Sequence, residues 1–261
     1  MSTEPSRGGS PTSAADIARL DAELVARGLA RSRGHARSLI DQALVSVDGL
    51  TRPKPASEVS ADTPIQLVGP ISPWVNRGAE KLEHALRTWP IPVEGRRALD
   101  VGASTGGFTQ VLLAHGASHV IALDVGHGQL HPVVASDTRV ENREGTSIRD
   151  LRAGDLDPVG IVVADLSFIS LTLAMGPIAQ SCAAGADIVL LVKPQFEVGR
   201  EGLGKNGIVT DDKARRAGVQ RVIASAGECG LVVRDLIDSP IRGTHGNQEH
   251  LLWLNSEGSP G

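Results

Sequence analysis

The sequence predicts an α/β protein: a doubly wound, Rossmann-like parallel sheet preceded by a small α+β unit. Three observations carry that prediction. From about residue 79 onward, nearly all-apolar segments alternate with helical patterns, as buried parallel strands and their crossover helices do. The first of those strands runs into a glycine-rich turn, Gly102 to Gly107, that opens a helix. Residues 15–69 follow another pattern, two short helices and then two short strands.

Composition narrows the function classes. The 261 residues are 41% hydrophobic, enough for a sizeable core, but there is no Tyr and only three Phe and three Trp. The core must rest on Ala, Val, Leu and Ile. A formal net charge of −4 argues against coating nucleic acid by bulk charge, while leaving room for a local basic patch. Cys182 and Cys229 have no CxxC or Cys/His spacing, so neither a zinc site nor a disulfide framework is expected, and a reducing cytoplasm is the natural compartment. The opening MSTEPSRGGSPTSAAD has no apolar h-region, and no apolar run approaches the roughly 20 residues of a membrane span.

Along the chain, residues 1–14 are rich in Ser, Gly and Pro and are expected to be a disordered tail. In ARLDAELVARG, Leu20, Leu24 and Val25 share a helical face and Gly28 supplies the stop. Ser32 suits an N-cap for RGHARSLIDQA, with Ala36, Leu39 and Ile40 on one face. LVSVDG and TPIQLVG read as strands, and residues 70–78, with two prolines among them, read as a linker. Helix AEKLEHALRTW then opens the second domain, 79–256. Its strands are RALDVG, HVIALDV, GIVVADLS and ADIVLLVK, with LVVRDLID and EHLLWLN later.

In open α/β sheets ligands bind beyond the C-terminal strand ends. That is where ALDVGASTGGFT forms its turn. Gly102, Gly106 and Gly107 let backbone approach a ligand, and the next strand ends on Asp124, where an acid grips ribose hydroxyls about 20 residues after the turn. The turn is neither G-x-G-x-x-G nor a P-loop, which disfavours triphosphate hydrolysis. Such a turn suits S-adenosylmethionine; a tight turn serving only packing is the plainer alternative. Gly102-Ala-Ser104-Thr-Gly106 also matches a hydrolase nucleophile elbow, with Asp238 and His245 following in order. However, it tops the first strand of its sheet and no oxyanion loop precedes it. ADIVLLVK raises a further question, since a buried strand ends on Lys193 and Pro194 then blocks pairing.

Five segments together, VNRGAEKL, LDVGASTGGFTQVLL, VVADLSFISL, LVKPQFEVG and GNQEHLLWL, resemble the TlyA family of ribosomal RNA 2′-O-methyltransferases, whose catalytic domain is FtsJ-like. LDAELVARGLARSRGHARSLIDQALVSVDG resembles the alpha-L RNA-binding motif such proteins carry in front. The likeness implies a methyltransferase sheet, S-adenosylmethionine as cofactor and ribosomal RNA within ribosomal subunits as partner. It implies a Lys-Asp-Lys-Glu tetrad on Lys81, Asp165, Lys193 and Glu249. It also implies a donor site on Gly102, Ala103, Ser104, Thr105, Gly106, Gly107, Phe108, Asp124 and Asp165, with no metal. By analogy Lys193 orients and deprotonates the ribose hydroxyl, Lys81 and Glu249 hold its charge state and position the ribose, and Asp165 anchors Lys193. Taken singly, these residues have bland readings: Lys81 as a solvated helix charge, Glu249 as an edge-strand charge.

Arg27, Arg31, Arg33, His35 and Arg37 crowd the start of the second helix. Arg31, Arg33 and Arg37 are the expected RNA contacts, against the alternative of a merely solvated face. Four positions depart from the family habit: Asn76 for serine, His127 and His250 for aromatics, and Ala43 for a glycine, the last expected to alter its turn only slightly. The loop VGREGLGKNGIVTD reads equally as a mobile lid or a surface excursion. The short tail after LLWLN leads to the expectation of an enzyme acting only on the large subunit; a monomer in the cytoplasm is also expected. Two rivals stand beside this reading: a pore-forming haemolysin, a label the family has carried, and a non-catalytic RNA-binding module.

Overall fold

The computed structural model describes residues 17–256 apart from 31–32, 42, 52, 69–71, 153, 200–201, 205–206 and 244–245. The expected tail, Ser32, Arg31 and His245 lie outside the described residues. The chain divides into two compact units, at 71/72. Residues 72–78, expected in a linker, thus belong to the second unit.

In the first unit, β1 (Ile17–Arg19) leads into α1 (Leu20–Ala26) and α2 (Arg33–Asp41). Four short strands follow: β2 (Val45–Val47), β3 (Leu50–Thr51), β4 (Glu58–Ser60) and β5 (Ile65–Leu67). β1 pairs with β4, and β2 lies between β3 and β5, all antiparallel. The helix expected from Ala18 therefore starts two residues later, because Ile17–Arg19 is drawn into a ladder with residues 58–60. Leu20, Leu24, Ala36, Leu39, Ile40, Val45 and Val59 form the core.

Both helices end in one device. The Leu29 and Gly28 amides bond the Leu24 and Val25 carbonyls, with Gly28 left-handed at φ 72°. After α2 the Leu44 and Ala43 amides bond the Leu39 and Ile40 carbonyls in the same way. Here the left-handed residue is Ala43, at φ 56°. The turn survives the alanine, which takes up the strain of a conformation that favours glycine.

The second unit runs α3 (Ala79–Thr88), β6 (Arg97–Val101), α4 (Gly107–Ala114), β7 (His119–Asp124), α5 (Pro132–Ala135) and β8 (Val140–Glu144). It continues with β9 (Val159–Ala164), α6 (Met175–Gln180), β10 (Cys182–Val192), α7 (Pro194–Glu197), α8 (Asp212–Glu228), β11 (Leu231–Asp238) and β12 (His250–Ser256). The sheet order is β11-β12-β10-β9-β6-β7-β8. β10, β9, β6, β7 and β8 pair in parallel in that order, but β12 is antiparallel to both β10 and β11. The sheet is mixed, not all-parallel as expected. β8 was also not foreseen, because VENRE is polar and covers only the sheet's edge.

Alternation along the strands builds a core on each face. Leu99, Ile121, Val162, Ile188 and Leu190 pack with Met175, Ile178 and Val222 from α6 and α8. Ala98, Val120, Ile161, Val163, Val189 and Leu191 pack with Leu82, Ala85, Val111 and Leu112 from α3 and α4. Fully burying one such aliphatic side chain contributes roughly 2 kcal/mol. The unbroken buried run Ala186–Val192 therefore fixes β10 firmly and delivers Lys193 at its end.

Candidate active site

The site forms where β6, β9 and β10 end on the same side of the sheet. Leu190 on β10 pairs with Ala164 on β9, so Asp165 and Lys193 leave neighbouring strands together. Val192 pairs with His250, which sets Glu249 beside Lys193 across the antiparallel ladder. Pro194 at the first position of α7 stops the strand and turns the chain immediately after the lysine.

The four charged side chains resolve into two ion pairs. Lys81 Nζ donates to Glu249 Oε2 at 2.5 Å, and both residues are buried. Lys193 Nζ lies 2.6 Å from Asp165 Oδ1 but directs a hydrogen bond to Ser167 Oγ at 2.8 Å. The same ammonium stands 5.9 Å from the centre of the Phe196 ring, within cation–π range. Lys81 is thus not the solvated helix charge that its sequence context suggests: it faces inward from α3, whose other buried residues are Ala79, Leu82 and Ala85.

Glycines bring these groups close. A Cβ on Gly78, just ahead of α3, would come within 3.6 Å of Asp165 Oδ2. A Cβ on Gly102 would lie 2.7 Å from the Asp165 carbonyl oxygen, and Gly102 is left-handed at φ 83°. Only glycine lets the turn after β6 pass so near the end of β9.

The turn itself, Gly102 to Phe108, leads into α4 with Gly106 left-handed at φ 90°. The Ala103 side chain is buried and Phe108 belongs to the core against α3, so of the expected donor-site residues Phe108 serves packing. Asp124 at the end of β7 accepts from the Ser104 amide at 2.8 Å and the Gly126 amide at 2.7 Å, which ties β7 to the turn. Asn76 donates to Thr105 Oγ1 at 2.6 Å and accepts from the Ala79 amide at 3.3 Å. The substituted asparagine therefore joins the start of α3 to the turn.

Sequence reasoning missed Asp100. It lies one turn of the pleat before Gly102, fully buried, with Thr109 Oγ1 donating to Oδ2 at 2.7 Å and Oδ1 without a partner among the described residues. Burial, reinforced by the nearby Asp165 and Asp124 charges, pushes its carboxyl up to about 7. The signal was an acid set between the buried Leu99 and Val101 in the strand RALDV.

Among the described residues, which leave out His245, Ser104 and Asp238 of the hydrolase elbow have other partners. Ser104 Oγ meets Gln129 Oε1 at 3.3 Å, and Asp238 pairs with His250 Nδ1 at 2.8 Å. His250 keeps a polar role in place of an aromatic, while His127 packs against Gly145. Asn247, between β11 and β12, donates to the Gly207 carbonyl and accepts from the Val209 amide, both in the loop after α7. In the first unit, Arg33 and Arg37 both reach Asp21. Arg27 turns away, onto the carbonyls of Ser60, Ala61 and Thr63.

Residues 74–256 match the FtsJ-like methyltransferase family, and residues 18–65 match the S4 domain. A 16S/23S rRNA (cytidine-2′-O)-methyltransferase TlyA from Mycobacterium tuberculosis is 48% identical over 92% of this chain and 90% of that protein. The chain belongs to the TlyA family of FtsJ-like methyltransferases. A second TlyA relative, the 23S rRNA (cytidine-2′-O)-methyltransferase of Campylobacter jejuni, is 34% identical over 69% of this chain and 70% of its own length. A solved structure from Streptococcus thermophilus, described as a hemolysin, is 38% identical with a TM-score of 0.75, covering 94% of this chain and 90% of that one. TlyA-family methyltransferases take S-adenosylmethionine as methyl donor. The residues here fit that group: Asp124 ends β7 against the glycine turn, and Asp100 keeps a buried oxygen below the turn with no partner among the described residues.

Proposed function

We propose that this enzyme methylates the 2′-hydroxyl of a cytidine in ribosomal RNA, with Lys81, Asp165, Lys193 and Glu249 as its reacting constellation. The observation that carries this reading is the pair of ion pairs, Lys81–Glu249 and Lys193–Asp165, gathered at the strand ends beside the glycine turn. S-adenosylmethionine, when bound, supplies an electrophilic methyl on a sulfonium. The protein's task is then to bring a ribose hydroxyl into line and remove its proton.

Lys193 is the orienting group as the ammonium and, only once it has given up that proton to become the free amine, the acceptor of the ribose hydroxyl's proton. Its ammonium is held by Asp165 and Ser167, so its reach toward a ribose is fixed before substrate arrives. Lys81 and Glu249 form a second, drier pair that sets the charge around Lys193 and positions the ribose. Asp165 also borders Gly102, which relates the lysine to the donor turn. Asp124 is the acid for the donor's ribose hydroxyls.

A target ribose must leave its helical context to reach this point. Phe168 supports that step. It is 89% exposed, left-handed at φ 68°, and its ring centre lies 5.7 Å from that of Phe196. In a chain with three Phe and no Tyr, one ring, Phe196, lies within cation–π range of Lys193 and a second, Phe168, packs against it. Phe168 offers an unstacked base an aromatic face, an interaction worth roughly 1–3 kcal/mol per base.

The higher identity to the 16S/23S relative than to the 23S relative favours action on both ribosomal RNAs, in the cytoplasm, over the large-subunit-only expectation. No helix among the described residues is long and apolar enough to cross a membrane.

The test is methyl transfer from labelled S-adenosylmethionine to separated, unmodified large and small ribosomal subunits, with Lys193→Ala as control. Label on the RNA of both subunits, lost in the variant, is the expected result. No label on either, with donor bound to folded protein, would overturn the reading.

A further inference from the structure

The first unit holds a feature the methylation chemistry does not use. Asp21, in the first turn of α1, has a side chain with no exposed surface. Three arginines from two directions converge on its two oxygens. Arg19, at the end of β1, donates through Nε to Oδ1 and Nη2 to Oδ2, each at 3.2 Å. Arg33 Nη2 reaches both oxygens, at 3.2 and 3.1 Å. Arg37, one turn further along α2, donates from Nε to Oδ2 at 3.2 Å. The three guanidiniums together hold the Asp21 carboxyl well below the usual carboxylate range, the Arg19 hydrogen bonds contributing most.

We propose that Asp21 is a positioning residue for ribosomal RNA, holding Arg19, Arg33 and Arg37 as one cradle for the phosphate backbone. This rests on the ribosomal RNA reading above. A staple between α1 and α2 needs one arginine; here three surround one carboxylate, leaving the cluster two positive charges in excess. The acid is buried while the arginine side chains are 46%, 55% and 55% exposed, so the excess charge faces solvent. Guanidiniums held at one end by a carboxylate present their remaining N–H donors in a fixed fork, the geometry that suits phosphate oxygens. Arg19, which sequence reading left out, is part of the surface; Arg27, spent on three backbone carbonyls, is not.

The proposal has a sign that bulk electrostatics does not share. Asp21→Asn makes the unit more positive, so attraction by net charge alone predicts equal or tighter RNA binding. Positioning predicts the opposite. The experiment is equilibrium binding of the full chain to purified, unmodified large and small ribosomal subunits, between roughly 50 and 200 mM salt. Binding of S-adenosylmethionine to the same samples checks the second unit.

About tenfold weaker subunit binding by Asp21→Asn, with donor affinity unchanged, is the expected result. Arg37→Ala is expected to lower the slope of log affinity against log salt by about one. Arg37→Lys keeps the charge and the slope but is expected to bind several-fold more weakly, because it lacks the fork. Undiminished binding by Asp21→Asn would overturn the proposal. Should that variant unfold, Arg33→Lys and Arg37→Lys, at exposed side chains, decide: full affinity in both would overturn it. Wild-type protein that binds neither subunit would instead overturn the ribosomal RNA reading beneath it.

Discussion

Lys81 Nζ and Glu249 Oε2 meet at 2.5 Å, with side chains 7% and 3% exposed, although one residue opens the second unit and the other lies near its end. Such a pair is costly to break. Glu249→Gln leaves an ammonium buried without its counter-charge, which costs roughly 3–5 kcal/mol. Urea unfolding is expected to show a lower midpoint, and methyl transfer is expected to be lost. Lys81→Met combined with Glu249→Leu replaces the pair by apolar groups and is expected to recover most of the stability but none of the activity. Recovery of activity in the double variant would remove the pair from the chemistry.

Asp100 makes stability depend on pH. Its folded carboxyl is raised from 3.8 to about 7 by burial. Between those values the folded state holds a proton that the unfolded chain has released. The group therefore favours folding fully below about pH 4, and that contribution is lost as pH rises to about 7, on the order of a few kcal/mol. Asp100→Asn is expected to flatten the stability profile in that window while wild type declines across it. Thermal melting from pH 4 to 8 reads the difference; parallel profiles would show that Asp100 titrates normally.

Ala43 sits at φ 56° in a turn that closes α2. A left-handed alanine carries roughly 1–2 kcal/mol of strain, partly offset by the entropy glycine adds to the unfolded chain. Ala43→Gly is expected to raise stability by about 0.5–1 kcal/mol without altering methyl transfer. A stability loss would mean that the turn tolerates alanine at no cost.

Phe168 is large, apolar and exposed, so truncating it should disturb the fold little. Phe168→Ala is expected to lower kcat/KM for ribosomal subunits about 10-fold or more while leaving donor affinity and melting temperature in place. Phe168→Trp is expected to keep most of the activity. Steady-state kinetics on subunits distinguishes a stacking face from a loop residue, whose loss would leave kcat/KM unchanged.

The sequence by itself determined what depends on local pattern. The apolar run Ile188–Val192, bounded by Pro194, is legible as a buried strand, and Gly102 and Gly106 are legible as a tight strand-to-helix turn with Asp124 at the next strand end. The same holds for the helix at Ala79–Thr88 and the stop at Gly28. Tertiary structure alone decided what depends on partners far along the chain. The reversal of β12, which brings Glu249 beside Lys193, leaves no local mark, because strand direction is set by neighbours. VENRE becomes a strand because β7 offers it an edge, and Ile17–Arg19 because β4 does. Lys81 reads as solvated until α3 is packed, and Asp100 reads as one acid in a strand until Thr109, Asp124 and Asp165 surround it. Asp21 is an ordinary first-turn acid until three arginines close over it. Burial and charge are properties of surroundings, and those surroundings exist only once the chain has folded.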